Sequence, residues 1–191
     1  MGLPDRSIRQ AVFVAFQFRE VFTEGWRKGS QMDIQAVKME IPSDANLILG
    51  QAHFIKTAED IYEAVVNTVP SAKFAVAFCE ASGPCLVRVE ANDDELRRAA
   101  IANAQAIGAG HAFVVLVRQA YPINLLSRIR DCFEVCGIFC ATANPVEVIF
   151  AQTGQGRAIL GVVDGSGPKG VETDEDAKKR RQFVRTIGYK L

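Results

Sequence analysis

Two runs, KFAVAFCE at residues 73–80 and HAFVVLV at residues 111–117, constrain the fold more than anything else in this chain. Each is long enough for a strand and nearly free of polar side chains, so neither can give a face to water. Strands of that kind belong inside a sheet that is covered on both sides. One covering element lies between them. Asn92, Asp93 and Asp94 open a helix that runs to Ile107, with Leu96, Ala99, Ala100, Asn103 and Ile107 along one side, and Gly108-Ala109-Gly110 closes it.

The remaining elements fall on either side of these runs. Val37, Met39 and Ile41 alternate in a first strand that Pro42 ends, and NLILGQAHFIKT (residues 46–57) forms a second. A helix follows from TAEDIYEAVVNTV, with Thr57 as its expected N-cap and Asp60 as the acid of a capping box. Ser82-Gly83-Pro84 turns the chain back into residues 86–90 as a hairpin. Pro122 opens a short helix through INLLSRIRDCFEV, ahead of a strand at residues 137–141. Residues 145–152 and 157–163 make two strands around Gly154-Gln155-Gly156. A last helix at residues 173–187 begins acidic and ends basic, which suits its dipole and a solvated face. The sum is an α/β domain whose mixed, largely buried central sheet carries helices on both sides.

Composition narrows the function. Lysine plus arginine equals aspartate plus glutamate at 22 each, so no basic excess points to nucleic acid or to a membrane surface. No apolar run reaches the ~20 residues that span a bilayer. The five cysteines lack CxxC spacing and sit in apolar surroundings, which fits reduced, mostly buried thiols in a cytoplasm. Cys132, Cys136 and Cys140 run from a helix into a strand, so their sulfurs diverge instead of closing on a metal. Residues 1–31 differ from the rest. AVFVAFQF behind Arg6 and Arg9 resembles a signal peptide, yet the run is short, Arg19 and Glu20 follow, and no small-residue cleavage site is present. They read as a packed or partly ordered extension of unknown role, with Ile8, Val12, Ala15, Phe18 and Phe22 on one side of a helix, ahead of a functional domain at residues 32–191.

The functional residues are sought at strand ends, where such sheets bind ligands. GxxxxGK[ST], an early GxGxxG and a kinase catalytic loop are all absent. His53 places an imidazole in an otherwise apolar strand, three residues before Lys56 and close to a helix N-terminus whose free N–H groups favour phosphate. A neutral imidazole attacks phosphorus through one nitrogen while a partner fixes the other N–H. On a regular strand Lys56 would point away from His53, so a local turn is required. His111, after three small residues, is the competing histidine, with His53 preferred as phosphoryl acceptor. Asp164, before the glycine-rich loop that Gly165 begins, offers a magnesium ligand or a base for a ribose hydroxyl, or simply a turn. Glu80 and Ser82 can orient a histidine or phosphate. Asn124 and Asn144 can read an adenine edge beside the Tyr121 ring, or organise a helix start and a turn.

GQAHFIKT (50–57), FCEASG (78–83), GAGHAFVV (108–115), YPIN (121–124), ATANP (141–145), RAILGVVDG (157–165), GVE (170–172) and GYKL (188–191) together resemble the adenosine-specific kinase family. The resemblance runs from about Met32 to Leu191, with Pro84-Cys85 standing where basic residues are expected. It implies a three-layer α/β/α sandwich and a site that includes Gly50. It also implies adenosine or adenine-nucleotide binding, association into oligomers, expected as trimers or hexamers, and a histidine that can carry a phosphoryl group; phosphoryl transfer of this kind is expected to use magnesium. The expected function is therefore phosphotransfer. The alternatives are an adenine-nucleotide sensor without turnover, and a scaffold that assembles through its apolar elements.

Overall fold

The computed structural model describes residues 32–191, so the expected N-terminal extension and its one-sided apolar pattern lie outside the described residues. The elements follow in the order β1 (Asp33–Lys38), β2 (Asn46–Ala52), α1 (Thr57–Thr68), β3 (Lys73–Cys79), β4 (Val87–Ala91), α2 (Asp94–Ile107), β5 (Ala112–Arg118), α3 (Pro122–Arg130), β6 (Val135–Thr142), β7 (Val146–Gln152), β8 (Arg157–Asp164) and α4 (Asp174–Thr186). The large sheet has the order β4-β3-β5-β2-β6, and β1-β7-β8 form a separate small sheet.

The fold is α/β, as expected, but every ladder in both sheets is antiparallel, and the expected mixed pairing is corrected on that point. The reason lies in how the helical crossovers are threaded. β2 and β3, joined through α1, run in the same direction, yet β5 enters between them and pairs antiparallel with both. β5 and β6, joined through α3, are likewise co-directional with β2 between them. Two β-α-β units are thus interleaved, and each separates the parallel neighbours of the other.

The large sheet buries both faces. On one, Ile48, Phe74, Phe78 and Val115 meet Ile61 and Val65 of α1 and Leu125 and Ile129 of α3. On the other, Leu49, Ala75, Ala77 and Val114 meet Leu96, Ala100 and Ala104 of α2 and Val146 and Val148 of the small sheet. The third layer of the sandwich is therefore part helix and part sheet. Alanines at the α2 crossing let helix and sheet approach closely, and all of these side chains lie at or near zero exposure.

Local chemistry explains the boundaries. Asp93 accepts from the Leu96 N–H at 2.9 Å and caps α2, while Gly108 at φ +58° ends it. Buried Asn103 accepts from the Glu40 N–H at 2.7 Å and donates to the Glu40 C=O at 2.8 Å, pairing with the chain after β1 as a strand would. The first strand is Asp33–Lys38 and not residues 37–41, because it is the stretch that registers against β7. α3 stops at Arg130, and turns through residues 131–134 bring β6 in earlier than expected, at Val135. The expected cap of α1 is also corrected. Lys56 occupies the N-cap position with no side-chain cap bond, and Thr57 is already helical, fully buried, with its hydroxyl donating to the Phe54 C=O. All five cysteines are free; Cys79 and Cys140 are buried, Cys132 is half-buried, but Cys85 and Cys136 are exposed, against the expectation of mostly buried thiols. No group of three or more metal-ligating side chains occurs among the described residues, and no described helix is long and apolar enough to cross a membrane.

Candidate functional site

The site begins with strand register. Gln51 of β2 pairs with Ala112 of β5, which brings the end of one strand to the start of the other. His53 lies just past β2 and not within it, and its N–H donates to the Glu134 C=O at 2.8 Å. His111 lies just before β5 at φ +64°. It is pinned on both sides: its N–H donates to the Cys79 C=O at 2.7 Å and its C=O accepts from the Ala52 N–H at 2.9 Å. The two imidazole centroids stand 6.5 Å apart with their planes at 80°. The histidines that compete on spacing alone are neighbours in space. His53 is exposed, whereas His111 is half-buried and stacks on Phe78 at 5.8 Å and 14°. Gly110 makes room for this arrangement, since a Cβ there would sit 2.9 Å from the Ala81 Cβ.

The local turn that Lys56 required is present. The Thr57 N–H donates to the Phe54 C=O at 3.0 Å, which folds residues 54–57 and starts α1 four residues after His53. Thr57 spends its N–H on Phe54, and because no side chain among the described residues caps α1, the next amides of the first turn, those of Ala58 and Glu59, are left for water or an anion. Lys56 bonds to Asp60 one helical turn along and to Glu134 Oε2 at 3.0 Å. Hydrogen bonds to Asp60 first and Glu134 second hold the Lys56 ammonium above the ordinary lysine range, so it stays charged. Glu134 is 3 % exposed and its Oε1 has no hydrogen-bond partner among the described residues. Nothing in the sequence singled it out. DCFEV continued a helical pattern, and only the early end of α3 turns this carboxylate inward.

Other expected residues divide into two groups. Glu80 is near the histidines, following the Cys79 carbonyl that binds His111. Its Oε2 accepts from Arg88 at 2.9 Å and from the Leu86 N–H at 3.3 Å, which closes the 81–85 loop. Ser82 is exposed in that loop, and its carbonyl accepts from the Cys85 N–H at 3.2 Å. Gly50 is buried inside the sheet. A Cβ there would lie 2.3 Å from Phe113 and 2.6 Å from the Gly137 carbonyl, so this glycine serves packing and not ligand contact. A cleft of about 870 Å³ opens between the Ile55–Glu59 end of α1, Arg88 and Arg97, and a second of about 660 Å³ runs past Glu80, Gly110 and Arg157. Cys85, Val87 and Gln105 line both, so the clefts run into each other around β4.

The second group sits at the opposite end of the sheet. Thr142 pairs with Leu47, six residues before His53 along β2, or about 20 Å at 3.3 Å per residue. There Asp164 accepts from Thr142 at 2.9 Å and from Asn144 Nδ2 at 3.0 Å, with Gly165 at φ +65° beside Asn144. Asn124 accepts from the Tyr121 N–H at 3.0 Å at the start of α3 and from Tyr189 Oη at 3.3 Å. Tyr121 and Tyr189 meet edge to face at 6.2 Å. Within one chain these residues do not reach the imidazoles.

Comparison with known proteins decides the relationship. The family described as adenosine specific kinase matches residues 37–190, most of the chain. The chain belongs to the adenosine-specific kinase family. It is similar to the solved structure of the PH1918 protein from Pyrococcus horikoshii, with 44 % identity and a TM-score of 0.81 over 84 % of this chain and 99 % of that one. No curated protein matches it. Family membership supports a kinase-like function on a nucleoside or nucleotide. The chemistry past the end of β2 and before the start of β5 fits that class: two imidazoles, an uncapped helix start and a lysine are what a phosphoryl group needs around it.

Proposed function

We propose that this protein is a cytoplasmic phosphotransferase that binds adenosine or an adenine nucleotide and moves a phosphoryl group through His53. The observation that supports it most is the pairing of an exposed His53 with a fixed His111, 6.5 Å apart, at the uncapped start of α1. A nitrogen of His53 attacks the terminal phosphorus of the donor. A P–N bond forms as the P–O bond to the departing nucleoside diphosphate breaks. A ribose hydroxyl of adenosine then attacks the same phosphorus, its proton passes to His111, and the P–N bond breaks to restore the imidazole. His111 suits the second role because stacking on Phe78 and two backbone bonds fix its direction. The amides of α1 and the Lys56 ammonium would answer the phosphoryl oxygens. Magnesium, bound with the nucleotide, would spread the phosphate charge, and Glu134, a buried carboxylate with one oxygen unpartnered among the described residues, has the hard-oxygen chemistry for such an ion.

The proposal includes association of copies into a trimer or hexamer. Exposed Ile34, Leu160 and Val163 on the small sheet favour such contact. The experiment is incubation of the full chain with γ-labelled ATP and magnesium, with and without adenosine. Acid-labile label on protein that chases into AMP on adding adenosine is expected; no label on either contradicts the reading. The alternative, an adenine-nucleotide sensor, draws on the lack of standard kinase motifs and the division of candidate residues between two ends of the sheet. Tight calorimetric binding without label transfer would favour it.

A further inference from the structure

Lys56 carries its ammonium into a slot between two carboxylates. Asp60 closes the slot from the first turn of α1, and Glu134 Oε2 closes it at 3.0 Å from the turn before β6. The two oxygens come from separate elements, and the Glu134 backbone also accepts the His53 N–H at 2.8 Å, so the turn that carries Glu134 is tied to the His53 backbone. Its charges do not balance: two carboxylates face one ammonium. The Glu134 side chain is 2 % exposed and its Oε1 has no hydrogen-bond partner among the described residues. Buried carboxylate oxygens are ordinarily satisfied, so this one marks an incomplete shell.

We propose that the slot between Asp60 and Glu134 is a divalent-cation site whose position the Lys56 ammonium holds in the ligand-free protein. The donor set selects a small hard ion. Both donors are carboxylates, and no third ligating side chain joins them among the described residues. A magnesium ion is commonly held by one or two carboxylates and completes its octahedron with water and phosphate oxygens, whereas zinc sites draw three or four ligands from the protein. A divalent ion also matches the two negative charges that one ammonium leaves half-answered. When the ion enters, Lys56 is displaced from the slot, and the α1 start lies within its reach for phosphate oxygens. Ion and ammonium thus compete for one position in the empty protein and act side by side once phosphates are bound. The placement of the ion beside phosphate rests on the phosphotransferase reading; the competition between ion and ammonium does not.

The test measures manganese, as a paramagnetic probe for magnesium, by water-proton relaxation on the full chain without nucleotide. Wild type, Lys56→Met, Asp60→Asn and Glu134→Gln are compared, with circular dichroism showing that each is folded. Expected results are a single saturable site displaced by magnesium, at least tenfold tighter in Lys56→Met and at least tenfold weaker in Asp60→Asn and Glu134→Gln. Asp60 is partly exposed on the helix surface, so its variant keeps the test decisive if the buried Glu134→Gln fails to fold. Unchanged or weaker manganese binding in folded Lys56→Met, or no saturable site in either wild type or that variant, would overturn the proposal. Because no turnover is measured, these outcomes are independent of whether a histidine is ever phosphorylated.

Discussion

His111 holds its backbone at φ +64° between two hydrogen bonds, a conformation that costs a residue with a Cβ about 1 kcal/mol or more. Asparagine tolerates that region, so His111→Asn is expected to melt within a few degrees of wild type. Lacking the base, it should still accept label on His53 but pass it to adenosine at least tenfold more slowly in rapid-quench kinetics. Gly50 is constrained for a different reason. In Gly50→Ala the new methyl would strike Phe113 and the Gly137 carbonyl, and overpacking of that kind costs about 3 kcal/mol, readable as a lowered urea midpoint with activity per folded molecule retained. The thiols sort by environment. Burial pushes Cys79 up to about 11, and burial with the Asp164 charge does the same for Cys140, so both stay protonated, and hence unreactive, until pH approaches that value. A disulfide reagent at pH 8 should therefore modify exposed Cys85 and Cys136 quickly and reach Cys79 and Cys140 only after unfolding.

Among the elements, α2 is joined to the chain after β1 by one side chain. Asn103→Leu would leave both the N–H and the C=O of Glu40 without their partner, a loss of about 2 kcal/mol or more in chemical denaturation. This helix was also the most legible part of the sequence. Asp93, Gly108 and the apolar stripe each act within a few residues, and local signals of that range can be read along the chain. Where tertiary packing overrides a local signal, structure and sequence pattern part. Thr57 has the chemistry of an N-cap, but its burial under the sheet moves it into the helix and leaves the cap to Lys56. Glu134 is hidden from periodicity because a helical pattern continues through it while the backbone turns. Strand direction is hidden for a third reason: periodicity shows that β2, β3 and β5 are buried, but not that β5 lies between the other two.

At the scale of the molecule, interleaving the two β-α-β units is what creates the site. It sets the end of β2 against the start of β5, so residues 53 and 111, remote in sequence, become neighbours. Spacing alone could present them only as rivals, because register is a property of the assembled sheet. The same threading sends Tyr121, Asn124, Asn144 and Asp164 to the far end, about 20 Å away. Association of copies would let such ends meet, and light scattering should give three or six times the 20.8 kDa chain mass; a monomer at micromolar concentration would contradict that part of the account. Phosphoryl transfer through His53 turns on one atom of one imidazole, and tryptic digestion separates the two histidines, since His53 falls in residues 39–56 and His111 in residues 99–118. The direct measurement is neutral-pH peptide mapping of protein incubated with γ-labelled ATP and magnesium. Acid-labile label on residues 39–56, lost in His53→Asn, is expected; label confined to residues 99–118, or on neither peptide, would rule out phosphoryl transfer through His53.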